Sequence, residues 1–369
     1  MDRTLAHETR IERVTAEAFT IPTDRPESDG TLEWRSTTLV LVQTEAAGRR
    51  GLGYTYAATA AAAVIRDTLA PLVTGQDAMD TRGVWDAMTR AVRNAGRPGI
   101  ASHAIAAVDS ALWDLKARIL DVPLARLLGM ARPDVPVYGS GGFTSYTDAD
   151  LQDQLGAWVE TGISRVKMKV GREPERDVTR VGRARAAIGP DVALYVDANG
   201  AYERAQALAQ AERFAEHRVS WFEEPVSSDD LDGLRLLRDR SPAGMAIAAG
   251  EYGYDATYFR RMLQAGAVDV LQADATRCAG ITGFMQAGAL CDAFHVPLSA
   301  HTAPALHLAP CAALACVRDI EYFHDHVRIE RALFDGCPVP RNGHLQPDLS
   351  GPGFGLTFKR SDAERYAVT

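Results

Sequence analysis

The sequence has no basic excess, no CxxC pair, no long apolar run and no low-complexity linker, and each absence closes off a class of function. Forty Lys and Arg stand against 48 Asp and Glu, a formal charge of −8. A general nucleic-acid binder needs a basic stripe to neutralise phosphates, so no nucleic-acid partner is expected. An anionic substrate stays open, because a bound cation reverses the local sign. The five cysteines (Cys278, Cys291, Cys311, Cys316 and Cys337) are scattered through the second half, the usage of reduced core cysteine in a cytoplasmic protein. The longest apolar run, Ala57 to Ile65, is too short and too alanine-rich to span a bilayer and reads as a helix. The opening MDRTLAHETR is charged and leads into no apolar signal-peptide core, so no membrane partner is expected. GLGY at Gly51–Tyr54 lacks a Walker lysine and a βαβ context, which excludes a phosphate loop.

What is present is a chain of 369 residues, long enough for two domains. Residues 11–20, 36–43 and 48–56 read as strands. Between the first two lies IPTDRPESDGTLEW, at about 14 residues too long for an ordinary hairpin turn and therefore a candidate binding lid. Helical patterns follow at Ala58–Leu72, Thr81–Asn94 and Ser102–Ile119. Strands followed by helices make residues 1–133 an α+β domain. From Val135 short apolar strands alternate with helices, beginning with helices at Asp148–Glu160 and Pro174–Ile188. Such runs suit parallel strands buried on both faces, and they place an α/β barrel over residues 134–339. A turn-rich tail, 340–369, is expected to return towards the first domain.

The barrel strands end in chemistry. RVKMKVG carries Lys167 and Lys169, ALYVDANG carries Asp197, and WFEEP carries Glu223 and Glu224. MAIAAGE ends in Glu251, VDVLQADA in Asp274, FHVPLSAH in His301, and VRDIEYFH bears Glu321. Successive members lie about 20 to 28 residues apart, the length of one βα unit, and catalytic groups of such barrels sit at C-terminal strand ends. Asp197, Glu223 and Glu251 cannot all stay ionised at one point without a counter-charge, and an all-oxygen set points to Mg2+ over zinc. Lys167 and Lys169 alternate along a strand and so share one face, the barrel interior if Val166, Met168 and Val170 face the helices. Side by side and near a cation, they are expected to depress each other's pKa, which tunes a lysine to act as a general base. Asp274 orienting His301 gives a second base on the opposite side of the interior. Glu321, opposite the metal, is expected to stay protonated and donate to a developing oxyanion. The His324–His326 pair reads as a surface loop. A metal, two opposed bases and an electrophile together fit proton abstraction next to a carboxylate.

With these motifs in this order, the sequence resembles the mandelate racemase subgroup of the enolase superfamily over nearly its whole length. The resemblance rests on the KxK of Lys167 and Lys169, the DAN of Asp197 and Asn199, the EEP at Glu223 and the GE at Glu251. The Asp274–His301 dyad and Glu321 complete it. It implies an α+β cap over a (β/α)7β barrel, with Ile21–Trp34 and Gly51–Ala57 as the cap loops that close the site. One Mg2+ per subunit is implied on Asp197, Glu223 and Glu251, a pattern in which a Lys or His base works beside the metal. Lys169 and His301 would be the bases, Lys167 a contact to the substrate carboxylate, and Ser140, Asn199 and Tyr54 further substrate contacts. A symmetric homo-oligomer, often an octamer, is also implied. Dehydration of an acid sugar to a 2-keto-3-deoxy acid is the leading expectation. Racemisation or epimerisation of a 2-hydroxy acid is an alternative, and so is cycloisomerisation of a sugar lactone or anhydro-sugar acid. The last is seen in relatives with a GYTY-like loop, which Tyr54, Thr55 and Tyr56 match.

Overall fold

The computed structural model describes residues 9–368. Three long strands open the chain: β1 (Arg13–Ser28), β2 (Glu33–Ala46) and β3 (Arg49–Tyr56), an antiparallel meander. The segment expected as a long lid loop is mostly strand. After a bulge between Pro22 and Glu27, pairing resumes with Glu27 opposite Trp34 and Ser28 opposite Glu33. Proline and acidic residues did not break this ribbon, because edge and bulge positions tolerate both. The helices Thr81–Ala91 and Ile100–Ile119 pack on one face of the sheet. Gly53 permits that approach: a Cβ there would lie 2.3 Å from the Ala111 nitrogen. The glycines of GLGY thus serve helix–sheet packing.

Eight parallel strands then close into a barrel: β4 (Val135–Gly141), β5 (Arg165–Lys169), β6 (Ala193–Asp197), β7 (Val219–Glu223), β8 (Ala246–Ala249), β9 (Val270–Ala273), β10 (Leu298–Ala300) and β11 (Val317–Phe323). Pairing of β11 with β4 completes the ring. Seven helices link the strands, and the helix His324–Leu333 follows the eighth. This is the modified TIM barrel with a strand-rich cap. The tail bonds to both parts: His344–Leu345 pairs with β4, and Ala367–Val368 pairs with β1.

Strand alternation divides the barrel into layers. Val166, Met168, Val170, Leu194, Val196 and Phe222 belong to the apolar layer under the helices. Tyr138, Tyr195 and Trp221 fill the interior, with the Tyr195 and Trp221 rings stacked at 4.9 Å. Two residues further along each strand the interior turns polar. Register pairs Lys169 with Asp197 and Asp197 with Glu223, so the aromatic floor lies beneath a charged layer at the C-terminal mouth.

Candidate active site

The mouth brings together all three expected metal ligands. Asp197 and Glu223 end neighbouring strands, while Glu251 follows Gly250 just past β8. Gly250 holds φ 133°, and a Cβ there would fall 2.2 Å from the Gln272 carbonyl, so only glycine lets the chain turn Glu251 into the mouth. One carboxylate oxygen of each of Asp197, Glu223 and Glu251 lies within 4.8 Å of the others, and all three residues are buried. Glu251 Oε2 takes no hydrogen bond; His301 Nε2 lies 3.2 Å from it without hydrogen-bond alignment. A buried all-carboxylate set with an unbonded oxygen fits a hard divalent cation such as Mg2+.

The lysines point inward as the alternation requires. Lys167 Nζ lies 2.6 Å from Glu223 Oε1, 2.9 Å from Glu321 Oε1 and 3.6 Å from Asp197 Oδ2. Lys169 Nζ bonds Asp197 and, at 3.0 Å, Asn199 Oδ1. The expected depression of the lysine pKa values is not the net outcome. Burial pulls Lys169 down and Lys167 adds to that, but Asp197, Glu251 and Glu223 outweigh both, and Lys169 titrates above its ordinary value. Lys167 is likewise raised against burial by Glu223 and Glu321. Like charge alone would lower both lysines; the carboxylates that face them reverse the sign.

Across the mouth, His301 Nδ1 lies 2.9 Å from Asp274 Oδ2. Burial disfavours the imidazolium, yet Glu251 and Asp274 reverse this and push His301 up to about 9. Asp274 is fixed by the Thr276 N–H at 2.7 Å. Glu321 accepts from the Ser140 hydroxyl and from the Thr302 N–H at 3.1 Å. Its expected protonated form does not match: burial raises it, but Lys167, His301 and Lys169 hold it well below the usual carboxylate range.

A cavity of about 430 Å3 opens above these groups, lined by Lys169, Asn199, Glu251, Asp274, His301 and Glu321. Three residues read as substrate contacts, Tyr54, Ser140 and Lys167, are buried and do not line the cavity. Tyr54 is wholly buried and donates to Glu330 at 2.6 Å, and Ser140 is wholly buried beneath Glu321. The Gly51–Ala57 stretch is largely strand β3 inside the cap, so only its end, Tyr56 and Ala57, reaches the cavity. His326 also departs from expectation. It is buried, lies on a helix rather than a surface loop, lines the cavity and stacks on Tyr56 with ring centroids 3.4 Å apart. Asp29 and Trp34, from the Ile21–Trp34 segment expected to close the site, line the cavity, as do Tyr252, Thr276 and Arg277, which the sequence motifs did not single out. Tyr252, Thr276 and Arg277 follow strand ends directly, and the strand-end rule applied one turn further would have found them.

Comparison with known proteins agrees with this geometry. Residues 15–129 match the mandelate racemase / muconate lactonizing enzyme N-terminal domain, and residues 150–363 match the enolase C-terminal domain-like model. The 3,6-anhydro-alpha-L-galactonate cycloisomerase of Streptomyces coelicolor is 33% identical over 367 residues, covering 95% of this chain and 98% of that protein. A mandelate racemase/muconate lactonizing enzyme-like protein from Rubrobacter xylanophilus is 54% identical, with TM-score 0.96 over 97% of this chain and 100% of that one. The L-talarate dehydratase of Polaromonas sp. JS666, solved with Mg and L-glucarate, is 31% identical, with TM-score 0.88 and 98% of both chains covered. The chain therefore belongs to the mandelate racemase / muconate lactonizing enzyme family of the enolase superfamily.

Proposed function

We propose that the protein is a Mg2+-dependent enzyme that removes the proton α to the carboxylate of an acid sugar. The observation that carries this is the opposition of Lys169 and His301 across one cavity, with the Asp197–Glu223–Glu251 cluster beside them. Mg2+ held by those three carboxylates would supply Lewis-acid stabilisation of charge on the substrate carboxylate. Lys167, buried beneath the cavity 2.6 Å from Glu223 and 2.9 Å from Glu321, adds positive charge at the end of the site where that carboxylate would sit. Lys169 or His301 takes the α-proton, according to which face of the substrate carries it. Asn199, bonded to the Lys169 ammonium, and Asp274, bonded to the imidazole, position the two bases.

The leading outcome is dehydration to a 2-keto-3-deoxy acid. In this outcome Lys169 takes the α-proton and His301, bonded to Asp274 on the other side of the cavity, is placed to hand a proton to the departing β-hydroxyl. A second reading, cycloisomerisation of an anhydro-sugar acid or sugar lactone, is supported by the end-to-end match to the Streptomyces cycloisomerase. The two are separated by proton NMR of the product: a 3-deoxy methylene signal marks dehydration, and a ring change without loss of water marks the isomerase. The proposal includes a cap formed by residues 1–133 with the 340–369 return, a barrel over 134–339, a cytoplasmic location and a homo-oligomer. Light scattering of the purified protein tests the oligomer. Among the described residues no helix is long and apolar enough to cross a membrane.

A further inference from the structure

The cavity has two unlike halves. The barrel half carries Lys169, Arg277 and His301 beside its carboxylates. The cap half is walled by Asp29, Trp34, Thr37 and Tyr56, with His326 beside them, and no lysine or arginine stands among these cap residues. Asp29 supplies the one carboxylate there. It is 8% exposed, and its Oδ1 accepts from the Thr31 N–H at 2.6 Å, the Leu32 N–H at 2.7 Å and the Thr31 hydroxyl at 3.1 Å. The side chain is therefore fixed, and none of these bonds uses Oδ2. Arg277 is committed elsewhere, 3.2 Å from Glu251 Oε1 and 3.5 Å from Asp274 Oδ2, with its guanidinium over the Tyr252 ring. Burial holds His326 far below the usual imidazole range, so it stands neutral against Tyr56.

We propose that the cap half selects an uncharged, hydroxyl-bearing substrate end, so that the enzyme takes acid sugars with a single carboxylate and rejects dicarboxylates, with Asp29 as the discriminating residue. This rests on the preceding reading that the reacting carboxylate lies in the barrel half. A hydroxyl at the far end donates to Asp29 Oδ2, a charge-assisted bond. A second carboxylate at that end meets a fixed like charge, with no lysine or arginine among the described cap residues of the lining to offset it. The Polaromonas relative was solved with L-glucarate, a dicarboxylate, so the fold itself does not impose this choice; the wall does.

The test is calorimetric binding of a panel of aldonates and their aldarate partners of the same configuration to the Mg2+-loaded protein, wild type and Asp29→Asn. Turnover is followed in parallel by NMR. Asparagine keeps the Oδ1 acceptor and removes the charge. Wild type is expected to bind each accepted aldonate at least ten-fold tighter than its aldarate, and Asp29→Asn to shrink the gap below three-fold, chiefly by tightening the aldarate. Equal or tighter aldarate binding by wild type overturns the inference, even if Asp29→Asn does not fold. A gap unchanged in a folded Asp29→Asn also overturns it, because shape rather than charge would then discriminate. Selective binding without turnover of any panel member sinks the reaction reading and leaves this inference standing. No binding by any acid sugar sinks both.

Discussion

Asp274 and Asp109 are the same residue type at the same depth, both essentially unexposed, yet they titrate in opposite directions. Asp109 sits in the seam between cap and barrel. Burial pushes it up to about 7, although the Thr282 N–H and hydroxyl bond it at 2.9 and 2.7 Å. Asp274 at the barrel mouth also suffers burial, but His301, His307 and Arg277 overcome that and hold it below the usual carboxylate range. The pair Glu330 and Glu321 repeats the contrast. Burial raises Glu330 to about 8 with only Tyr54 and the Ala305 N–H as donors, whereas Lys167 and His301 carry Glu321 down against burial. In these two pairs neutral hydrogen bonds do not offset burial, whereas nearby cations do. Burial thus dominates at the seam acids Asp109 and Glu330, and facing cations dominate at Asp274 and Glu321, while Glu223, beside Asp197, is pushed up to about 8 despite Lys167.

The largest effect should come from removing the counter-charge at the mouth. Dialysis against EDTA is expected to reduce turnover to background and added Mg2+ to restore it, read as product formation by NMR. Activity that survives chelation breaks the contrast. Next, Lys169→Ala and His301→Ala should each lower kcat by roughly 10²–10⁴-fold, the usual range for a general acid or base, with the far-UV spectrum unchanged. Removing one charge partner should sharpen the comparison. Asp274→Asn takes away a carboxylate that holds the proton on His301, so the limb of the kcat/KM profile governed by His301 should move to lower pH.

The seam predicts stability rather than rate. The folded pKa of Asp109 lies above its unfolded value, so its contribution is fully present below about pH 4 and is lost as pH rises through about 7. The shift corresponds to roughly 4 kcal/mol. Urea melts of wild type and Asp109→Asn across that window should show the variant with the flatter profile. The smallest effect is expected for Tyr54→Phe, which removes one buried hydrogen bond. It should lose about 1 kcal/mol of stability with KM unchanged, whereas a substrate contact at Tyr54 would raise KM.

The same contrast explains how much was legible in the sequence. Barrel, cap and metal cluster were readable because parallel strands fix spacing and alternation, and Lys167, Lys169, Asp197 and Glu223 sit at inward strand positions. Helix bounds such as Asp148–Glu160 and Pro174–Ile188 were legible from apolar period and start signals. Charge states were not, because they depend on which side chains meet across strands: Lys169 titrates up because Asp197 lies opposite it. Tyr54 and His326 were misplaced for a related reason. Tyr54 and Tyr56 share one face of β3, but only Tyr56, at the strand's end, reaches the cavity, while Tyr54 lies further back under the cap and bonds Glu330. The burial of His326 depends on the cap folding over the helix after β11, a contact between residues far apart in the chain.

The claim at the centre of this account is abstraction of the proton α to a carboxylate by Lys169 or His301. Its most direct test is incubation of the Mg2+-loaded protein with a panel of acid sugars in D2O, followed by proton NMR. The account predicts loss of the α-proton signal for at least one panel member, together with a 2-keto-3-deoxy acid or an isomerised product, and its suppression in Lys169→Ala or His301→Ala. Full retention of the α-proton across every acid sugar that binds, or loss that persists undiminished in both variants, would contradict it.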